Sequence, residues 1–207
     1  MIIAIDGYEA NVDSRVGIGR YAYEIIKHIR STSSPNSFQT YLPDPPLSDM
    51  PEQSEKWKYR LAGPKKFWTF LGLPLALTLD QPRADVIFSP THYVPRWVST
   101  PRVMAIMDVS YLEYPQMFRP RDLHQLVNWT AYSTRVARAI LTISEFSKRA
   151  IIKAYGVSES HVVVTYPGLT MPSNNKQTNT FGDYILSVGT LQPRKNFVRL
   201  VEAFSTI

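Results

Sequence analysis

The stretch ADVIFSPTHYVPRWVSTPRVMAIMD, residues 84–108, decides the fold class. It holds two apolar runs rich in branched residues, at 84–90 and 101–108, and each run closes with a turn signal. Continuous apolar runs of this length are typical of strands that are buried on both faces, as in a parallel sheet. The stretch therefore predicts two buried parallel strands.

The alternation of strand and helix patterns continues on both sides of this stretch. Strand patterns occur at 1–6, 139–144 and 161–168, and helix patterns at 17–29, 120–139 and 145–155. Residues 41–57 are rich in proline and acidic residues, which predicts an exposed loop. Together the patterns predict an α/β fold, a Rossmann-like open parallel sheet with helices on both faces. Ligands of such sheets bind beyond the carboxyl ends of the strands.

The composition changes after Gly168, which predicts a domain boundary. Residues 169–182 are polar and aperiodic and are interpreted as a linker, whereas 183–190 and 196–204 resume the strand and helix patterns. A lone strand and helix cannot bury their apolar faces. We therefore expect residues 1–168 to form one Rossmann-like domain and 183–207 to be the first βα unit of a second, truncated one. The alternative is a complete chain in which this unit packs on the first sheet.

The composition excludes several classes of function. The 207 residues include no cysteine, which excludes disulfides and zinc–thiolate sites. The net charge of +6 favours anionic partners, although a modest basic excess is common, and the scattered lysines and arginines do not form a nucleic-acid module. No apolar run is long enough to span a bilayer, and the start of the chain lacks signal-peptide features. We expect a cytoplasmic location, or peripheral attachment to the inner face of the plasma membrane.

The glycine pair Gly17 and Gly19 opens the first helix. With Ala22 it matches the dinucleotide fingerprint G-x-G-x-x-A, yet ten residues separate it from Asp6 at the end of the first strand. No acidic residue follows where a ribose would need one, so a nicotinamide-dependent oxidoreductase is a weak alternative. Backbone N–H groups at the helix start still suit an anion. The structural alternative is a flexible loop that enters a helix.

Two further candidates follow buried strands. Asp108 ends one strand and is placed to accept hydrogen bonds from a sugar hydroxyl, or to serve only as a capping aspartate. His92 follows the other strand and is placed to face the cleft. The remaining histidines, His28, His124 and His161, lie in helix or strand-flank settings, where we expect structural or solvated roles. No two histidines have metal-ligand spacing, so no metal site is expected.

Two basic clusters complete the candidates. Arg194 and Lys195 precede a helix, where cations are unfavourable unless an anion joins them, so they predict a phosphate site or, alternatively, a solvated turn. Lys65 and Lys66 precede Phe67 and Trp68. Cations beside aromatic residues suit an anionic membrane surface, although core packing of the aromatics explains them as well.

Six segments together resemble a known family: residues 17–26, 86–95, 107–118, 141–157, 162–169 and 185–204. Their order and spacing are similar to those of the retaining glycosyltransferases of family four, which have the GT-B fold. The likeness is greatest to bacterial mannosyltransferases of cell-surface polysaccharide assembly. Within it, residues 188–204 are the most specific segment.

The resemblance implies two Rossmann-like domains that face a cleft, with the acceptor on the first and the donor on the second. It implies transfer of mannose or a similar hexose, with retention, from a nucleotide diphosphate sugar to a glycan or polyprenyl-linked acceptor. No metal or other cofactor is expected. Lys195 and Arg194 would bind the donor diphosphate, and Gly17 and Gly19 would approach it from across the cleft. Further cleft candidates are Arg20, His92 and Ser144, and Asp108 is the catalytic candidate.

The sequence departs from the family pattern at two positions. Met107 stands where the family usually has a histidine that contacts the donor sugar, and Thr190 stands where it often has an arginine. The family's distal glutamate pair would lie beyond residue 207, so little or no activity is expected of this chain alone. A non-catalytic acceptor-binding domain of a degenerate transferase is therefore a further alternative.

Overall fold

The computed structural model describes residues 1–168, 182–189, 191 and 193–206. Within them, a seven-stranded, wholly parallel sheet has the order β3-β2-β1-β4-β5-β6-β7. The strands are β1 (Ile2–Asp6), β2 (Ser37–Leu42), β3 (Trp57–Leu61), β4 (Val86–Ser89), β5 (Arg102–Ala105), β6 (Ala139–Thr142) and β7 (Val162–Val164). The helices are α1 (Ile18–Ser31), α2 (Leu73–Leu79), α3 (Ser110–Glu113), α4 (Pro120–Val136), α5 (Glu145–Tyr155) and α6 (Phe197–Phe204).

Helices cover both faces of the sheet because neighbouring residues of a strand point in opposite directions. Ile5 of β1 packs in one core cluster with Ala22 and Ile26 of α1. Ala4, one residue earlier, packs in another cluster with Leu73 and other residues of α2. A third cluster joins β5, β6 and β7 to α4 and α5. The predicted Rossmann-like α/β fold is confirmed.

A π-helical turn, Trp68–Gly72, leads directly into α2. Trp68 is 4% exposed, and its indole N–H donates to Oδ1 of Asp6 at 2.9 Å. Phe67, by contrast, is 57% exposed. Of the two explanations for Trp68, core packing is the one that holds, and its place in a surface patch is wrong, because this side chain is anchored to β1.

The segment expected to be a loop, residues 41–57, is shorter and more ordered than the sequence indicates. Its ends belong to β2 and β3, and Met50 within it is buried. Asn11 fixes the segment, since its Nδ2 donates to the carbonyl of Pro45 at 2.9 Å and its Oδ1 accepts from the N–H of Leu47 at 2.8 Å. This proline-rich segment therefore packs in an ordered conformation beside α1.

The segment from residue 182 onward differs from its prediction in one respect. Residues 182–189 form no strand, since no neighbouring strand pairs with them in the described part of the chain. The predicted helix is present as α6, and its apolar side chains Val201 and Phe204 are 66% and 60% exposed. A strand needs a partner for its backbone groups, so the apolar pattern alone does not produce one.

Candidate functional site

A cleft of about 880 Å³ opens at the carboxyl end of the sheet. It lies between α1 and the loops that follow β1, β4, β5, β6 and β7. β1 and β4 are neighbours in the sheet, and the strand order reverses between them. This topological switch point is where open α/β sheets bind their ligands. The fold therefore places this cleft where the sequence predicts a site.

The two glycines at the start of α1 have different roles. Gly17 lines the cleft as the N-cap residue with φ of +50°, and a Cβ there would meet no atom within 4 Å. Gly19 is buried, and a Cβ on it would lie 2.9 Å from the carbonyl oxygen of Glu9. Gly19 thus lets the helix pack against the loop after β1. Gly17 leaves the helix N-terminus, with its unpaired N–H groups, open to an anion in the cleft.

Arg20 lines the cleft one turn along α1. Its guanidinium lies 2.5 Å from a carboxylate oxygen of Glu24, and its side chain is 59% exposed. His28, one turn further, lies with Nδ1 3.7 Å from the other carboxylate oxygen of Glu24. Exposed ion pairs of this kind contribute little to stability. Arg20 is therefore available to a ligand that competes with Glu24.

His92 and Met107 are in contact at the base of the cleft. The backbone N–H of Met107 donates to Nε2 of His92 at 3.4 Å. Burial lowers the pKa of His92 to about 4, against an opposing attraction from Asp108. The imidazole is therefore neutral at physiological pH, and because Nε2 accepts a hydrogen bond, we assign its proton to Nδ1.

Asp108 both caps a helix and lines the cleft. Its Oδ1 accepts from the backbone N–H of Ser110 at 2.9 Å, which starts α3. The side chain is nevertheless exposed to the cleft. Glu9 is a second lining carboxylate, and burial raises its pKa above the ordinary value. The structure shows the turn role of Asp108 through its bond to Ser110, whereas its role toward a sugar hydroxyl remains a prediction.

Two candidates with described side chains, Ser144 and Lys195, are not among the residues that line this cleft. Ser144 caps α5, since its Oγ accepts from the N–H of Ser147 at 3.0 Å, and its neighbour Ile143 lines the cleft instead. Lys195 ends a 3₁₀ turn just before α6, and its side chain is exposed. The side chain of Arg194 lies outside the described part of the chain. A phosphate site at Arg194 and Lys195 remains a prediction.

Several residues that line the cleft are not among the candidates predicted from the sequence: Glu9, Tyr21, Glu24, His28 and Tyr93. Three of them follow Gly17 on one face of α1, at positions 21, 24 and 28, a spacing of three or four residues. That spacing was available as a signal once Gly17 was a candidate. His28, expected to be structural or solvated, lies in the cleft wall, where it is also 69% exposed.

The arrangement separates two chemical environments within one cleft. The helix N-terminus at Gly17, with Arg20, is electropositive and suits a phosphate group. Glu9, Asp108 and neutral His92 lie on the loops that follow the strands and can exchange hydrogen bonds with hydroxyl groups. Much of the remaining wall is apolar, as at Ile18, Ile25 and Leu126, and suits the faces of a sugar ring or another apolar group.

Two features are absent from the described part of the chain, a metal-binding cluster and a membrane-spanning helix. The described residues include no group of three or more histidine, aspartate or glutamate side chains placed to hold a metal ion. None of the described helices combines the length and apolar character that crossing a bilayer requires.

The chain is similar in sequence to a known protein. O-antigen chain mannosyltransferase B of Escherichia coli is 24% identical to this chain over 217 residues. The similarity covers 92% of this chain but only 56% of the relative, so the chain spans little more than half of that protein's length. No protein-family model matches the chain.

Proposed function

We propose that this chain forms the acceptor-side part of a retaining glycosyltransferase. It would transfer a hexose, with mannose as the first candidate, from a nucleotide diphosphate sugar to a glycan or polyprenyl-linked acceptor. The observation that carries the proposal is the cleft at the switch point of the sheet, which joins Gly17, Arg20, His92 and Asp108. The chain that forms it is similar along most of its length to a protein named as a mannosyltransferase.

In this proposal the donor diphosphate lies against the start of α1. Gly17 leaves room for the phosphate oxygens to approach the backbone N–H groups, and Arg20 exchanges its contact with Glu24 for one with phosphate. As the bond between the anomeric carbon and the phosphate oxygen breaks, negative charge grows on the diphosphate. Groups that are already in place to receive that charge lower the barrier of the reaction.

The acceptor hydroxyl would bind beside Asp108 and His92. Its oxygen forms the new bond to the anomeric carbon on the face that the diphosphate leaves, and its proton passes to an oxygen of the departing diphosphate. The configuration at that carbon is then retained. Asp108, and Glu9 beyond the end of β1, would accept hydrogen bonds from the hydroxyl groups of the sugars.

We further propose that residues 183–207 open a second, donor-binding domain, as expected from the sequence. The exposure of the apolar side chains of α6 supports this proposal, because Val201 and Phe204 have no cover in the described part of the chain. In that domain Arg194 and Lys195 would contact the same diphosphate from the opposite side.

The test is a donor screen on the longest polypeptide expressed from this reading frame. Guanosine and uridine diphosphate sugars are offered with and without a polyprenyl-linked glycan, and nucleotide release and sugar transfer are both measured. Asp108→Asn and Lys195→Ala should each lower transfer by about a hundredfold, the lower range for one positioned group. Asp122→Asn and Lys153→Ala, which change exposed helical residues outside the cleft, serve as matched controls.

Two results would contradict the proposal. The first is a folded protein that turns over none of the donors. If such a protein still bound the acceptor, its function would be acceptor binding without catalysis. Equal loss in Asp108→Asn and Asp122→Asn would show that the cleft has no special role. An inverted product configuration would contradict retention alone.

A further inference from the structure

One side of the segment 67–79 carries apolar side chains that the fold leaves uncovered. Phe67, Leu71, Leu75 and Leu79 are 57%, 44%, 51% and 75% exposed, and we call these four residues the apolar stripe. Phe67 directly precedes the π-helical turn, and the exposure of the other three side chains places them on the outer side of that turn and of α2. The opposite face, with Trp68, Leu73 and Leu77, is buried in the core.

An exposed tryptophan extends this surface. Trp97 is 76% exposed. Its neighbours fix it beside the stripe, because the guanidinium of Arg96 lies 4.9 Å from the ring centre of Phe70 and Val98 packs in the same core cluster as Trp68. Tryptophan at the edge of an apolar surface is typical of contact with the interface of a bilayer.

The charges around the stripe are predominantly positive. Lys65 and Lys66 precede it and Arg83 follows it in the chain. Two carboxylates in contact with this region are already matched, since Asp44 lies 2.6 Å from Lys65 and Asp80 lies 3.0 Å from Arg60. The exposed carboxylate of Asp85, two residues after Arg83, accepts from the backbone N–H of Ile2 at 2.7 Å.

The described part of the chain shows no ion pair for Lys66, Arg83 or Arg96. A surface that combines an apolar strip with excess cations complements an anionic lipid headgroup layer above acyl chains. A two-fold contact between copies of this chain would instead bring these cations against one another.

From this surface we infer that the chain docks on an anionic phospholipid bilayer through the apolar stripe and Trp97. The apolar side chains enter the acyl boundary, and Lys66, Arg83 and Arg96 contact the headgroups. The inferred docking does not depend on the proposed transferase function, whereas its role in presenting an acceptor rests on that function.

The docking surface lies close to the cleft. Phe70 contacts Trp129 at a ring distance of 4.3 Å, and Trp129 contacts the cleft residue Tyr93 at 5.4 Å. Two ring contacts therefore separate the surface from the cleft. A polyprenyl-linked acceptor could keep its anchor in the bilayer while its sugar reached the cleft.

The test measures sedimentation of the 207-residue chain with lipid vesicles at low ionic strength. Vesicles of mixed phosphatidylglycerol and phosphatidylcholine should bind it about tenfold or more tightly than pure phosphatidylcholine, and added salt should weaken the binding. Replacing both Leu75 and Leu79 by glutamine should lower the partition coefficient on the order of tenfold or more, since two buried leucines are lost. Phe146→Gln, at a side chain that is 69% exposed on α5, is the matched control.

A second arm tests the charge. Lys66→Glu should weaken binding to anionic vesicles severalfold and leave neutral vesicles unaffected, whereas Lys153→Glu on α5 should change neither. All of these side chains are exposed, so circular dichroism should show an unchanged fold.

Three outcomes would overturn the inference. The first is absence of binding to anionic vesicles at low salt, and the second is equal loss in the stripe and control variants. The third is self-association that the stripe variants abolish, in the absence of vesicle binding, which would assign the face to a contact between copies. Vesicle binding together with no turnover of any donor would contradict the proposed function and leave the docking intact.

Discussion

His92 and Met107 share one hydrogen bond at the base of the cleft, in which the backbone N–H of Met107 donates to Nε2 of His92. Met107 stands where the family resemblance predicts a histidine. It is held by a different histidine, His92, which follows the neighbouring strand β4. The contact ties the loops after β4 and β5 together. Both loops carry candidate residues, so the contact also sets their spacing.

The protonation of His92 gives the first prediction. Its pKa is lowered to about 4 in the folded chain from 6.5, so the folded state disfavours the charged form. The stabilisation is complete above pH 6.5 and is lost as the pH falls toward 4. Long-range ¹⁵N–¹H spectra should show a neutral ring with the proton on Nδ1 from pH 8 down to about pH 5. The variant His92→Gln identifies the signal, and a ring that is charged at pH 6 would contradict the assignment.

Asp6 gives a prediction of opposite sign. It is 3% exposed, and burial raises its pKa to about 6 from 3.8. The folded state therefore favours the protonated form, and stability falls as the pH rises from about 4 to 6. Asp6→Asn keeps an Oδ1 acceptor for Trp68 and Tyr8, which both donate to that atom.

The size of that effect is on the order of 3 kcal/mol, since one pKa unit corresponds to about 1.4 kcal/mol. Urea unfolding of the wild type and Asp6→Asn at pH 4 and pH 7 measures it. The variant should gain stability relative to the wild type as the pH rises. Asp122→Asn, at an exposed residue, should show no such gain, and a difference between wild type and Asp6→Asn that is constant with pH would refute the prediction.

Alanine should destabilise the fold at both glycines, but for different physical reasons. In Gly19→Ala the new Cβ meets the Glu9 carbonyl at 2.9 Å, so the helix or the loop must move, at a cost of about 1–3 kcal/mol. In Gly17→Ala there is open space, and the cost of about 1–3 kcal/mol comes only from the positive φ of +50°.

Unfolding measurements give both costs, and ligand binding separates the two variants. Gly19→Ala should displace Glu9 and weaken acceptor binding, since the clash is with the backbone of Glu9 itself. Gly17→Ala should weaken donor binding by crowding the helix N-terminus. If both variants weakened donor binding and acceptor binding equally, the assignment of Gly17 to the donor and Gly19 to the acceptor would be wrong.

Arg20→Ala should weaken donor binding with little change in stability. Its side chain is 59% exposed, but both carboxylate oxygens of Glu24 are covered, so its loss should lower the free energy of unfolding by no more than about 1 kcal/mol. Loss of a charged contact to phosphate should raise the donor KM about tenfold. Steady-state kinetics check this, with Arg121→Ala on the exposed side of α4 as the control. An unchanged KM would remove Arg20 from the donor site.

Met107→His tests the departure from the family pattern. A histidine there would add a hydrogen-bonding group beside the reacting centre of the proposed donor sugar, so kcat/KM should rise by about tenfold. Met107→Leu keeps the apolar volume and should leave kcat/KM near that of the wild type. A fall in kcat/KM for Met107→His, with an intact fold, would indicate that position 107 packs and does not contact substrate.

The strands that the sequence predicts are those with continuous apolar runs. β2 and β3 were missed for physical reasons. β2 contains Gln39 and Thr40, which are buried although polar, so its apolar run is interrupted. β3 lies at the edge of the sheet, where Lys58 faces solvent and the run is again broken. Burial of polar residues depends on hydrogen-bond partners from distant parts of the chain, which no local pattern encodes.

The same distinction applies to the site. His92 and Asp108 could be predicted because they follow recognisable strands, and the topology fixes where strands end. Glu9 could not, because its place in the cleft wall depends on how the loop after β1 folds against Gly19. Phe67 and Trp68 are adjacent aromatic residues with opposite burial. The π-helical turn that begins at Trp68 shifts the helical register, so spacing alone does not assign their faces.

The hydrogen bond from Trp68 to Asp6 joins the π-helical turn before α2 to β1. Since this bond is buried, the π-helical turn is expected to move with the sheet as one rigid body. The distance from the outer face of α2 to the mouth of the cleft is then a constant of the fold. If the molecule rests on a bilayer through that face, the cleft stands at a set height above it. The length of the acceptor, as well as its chemistry, would then decide whether it is a substrate. Oligosaccharides too short to span that height would be poor substrates.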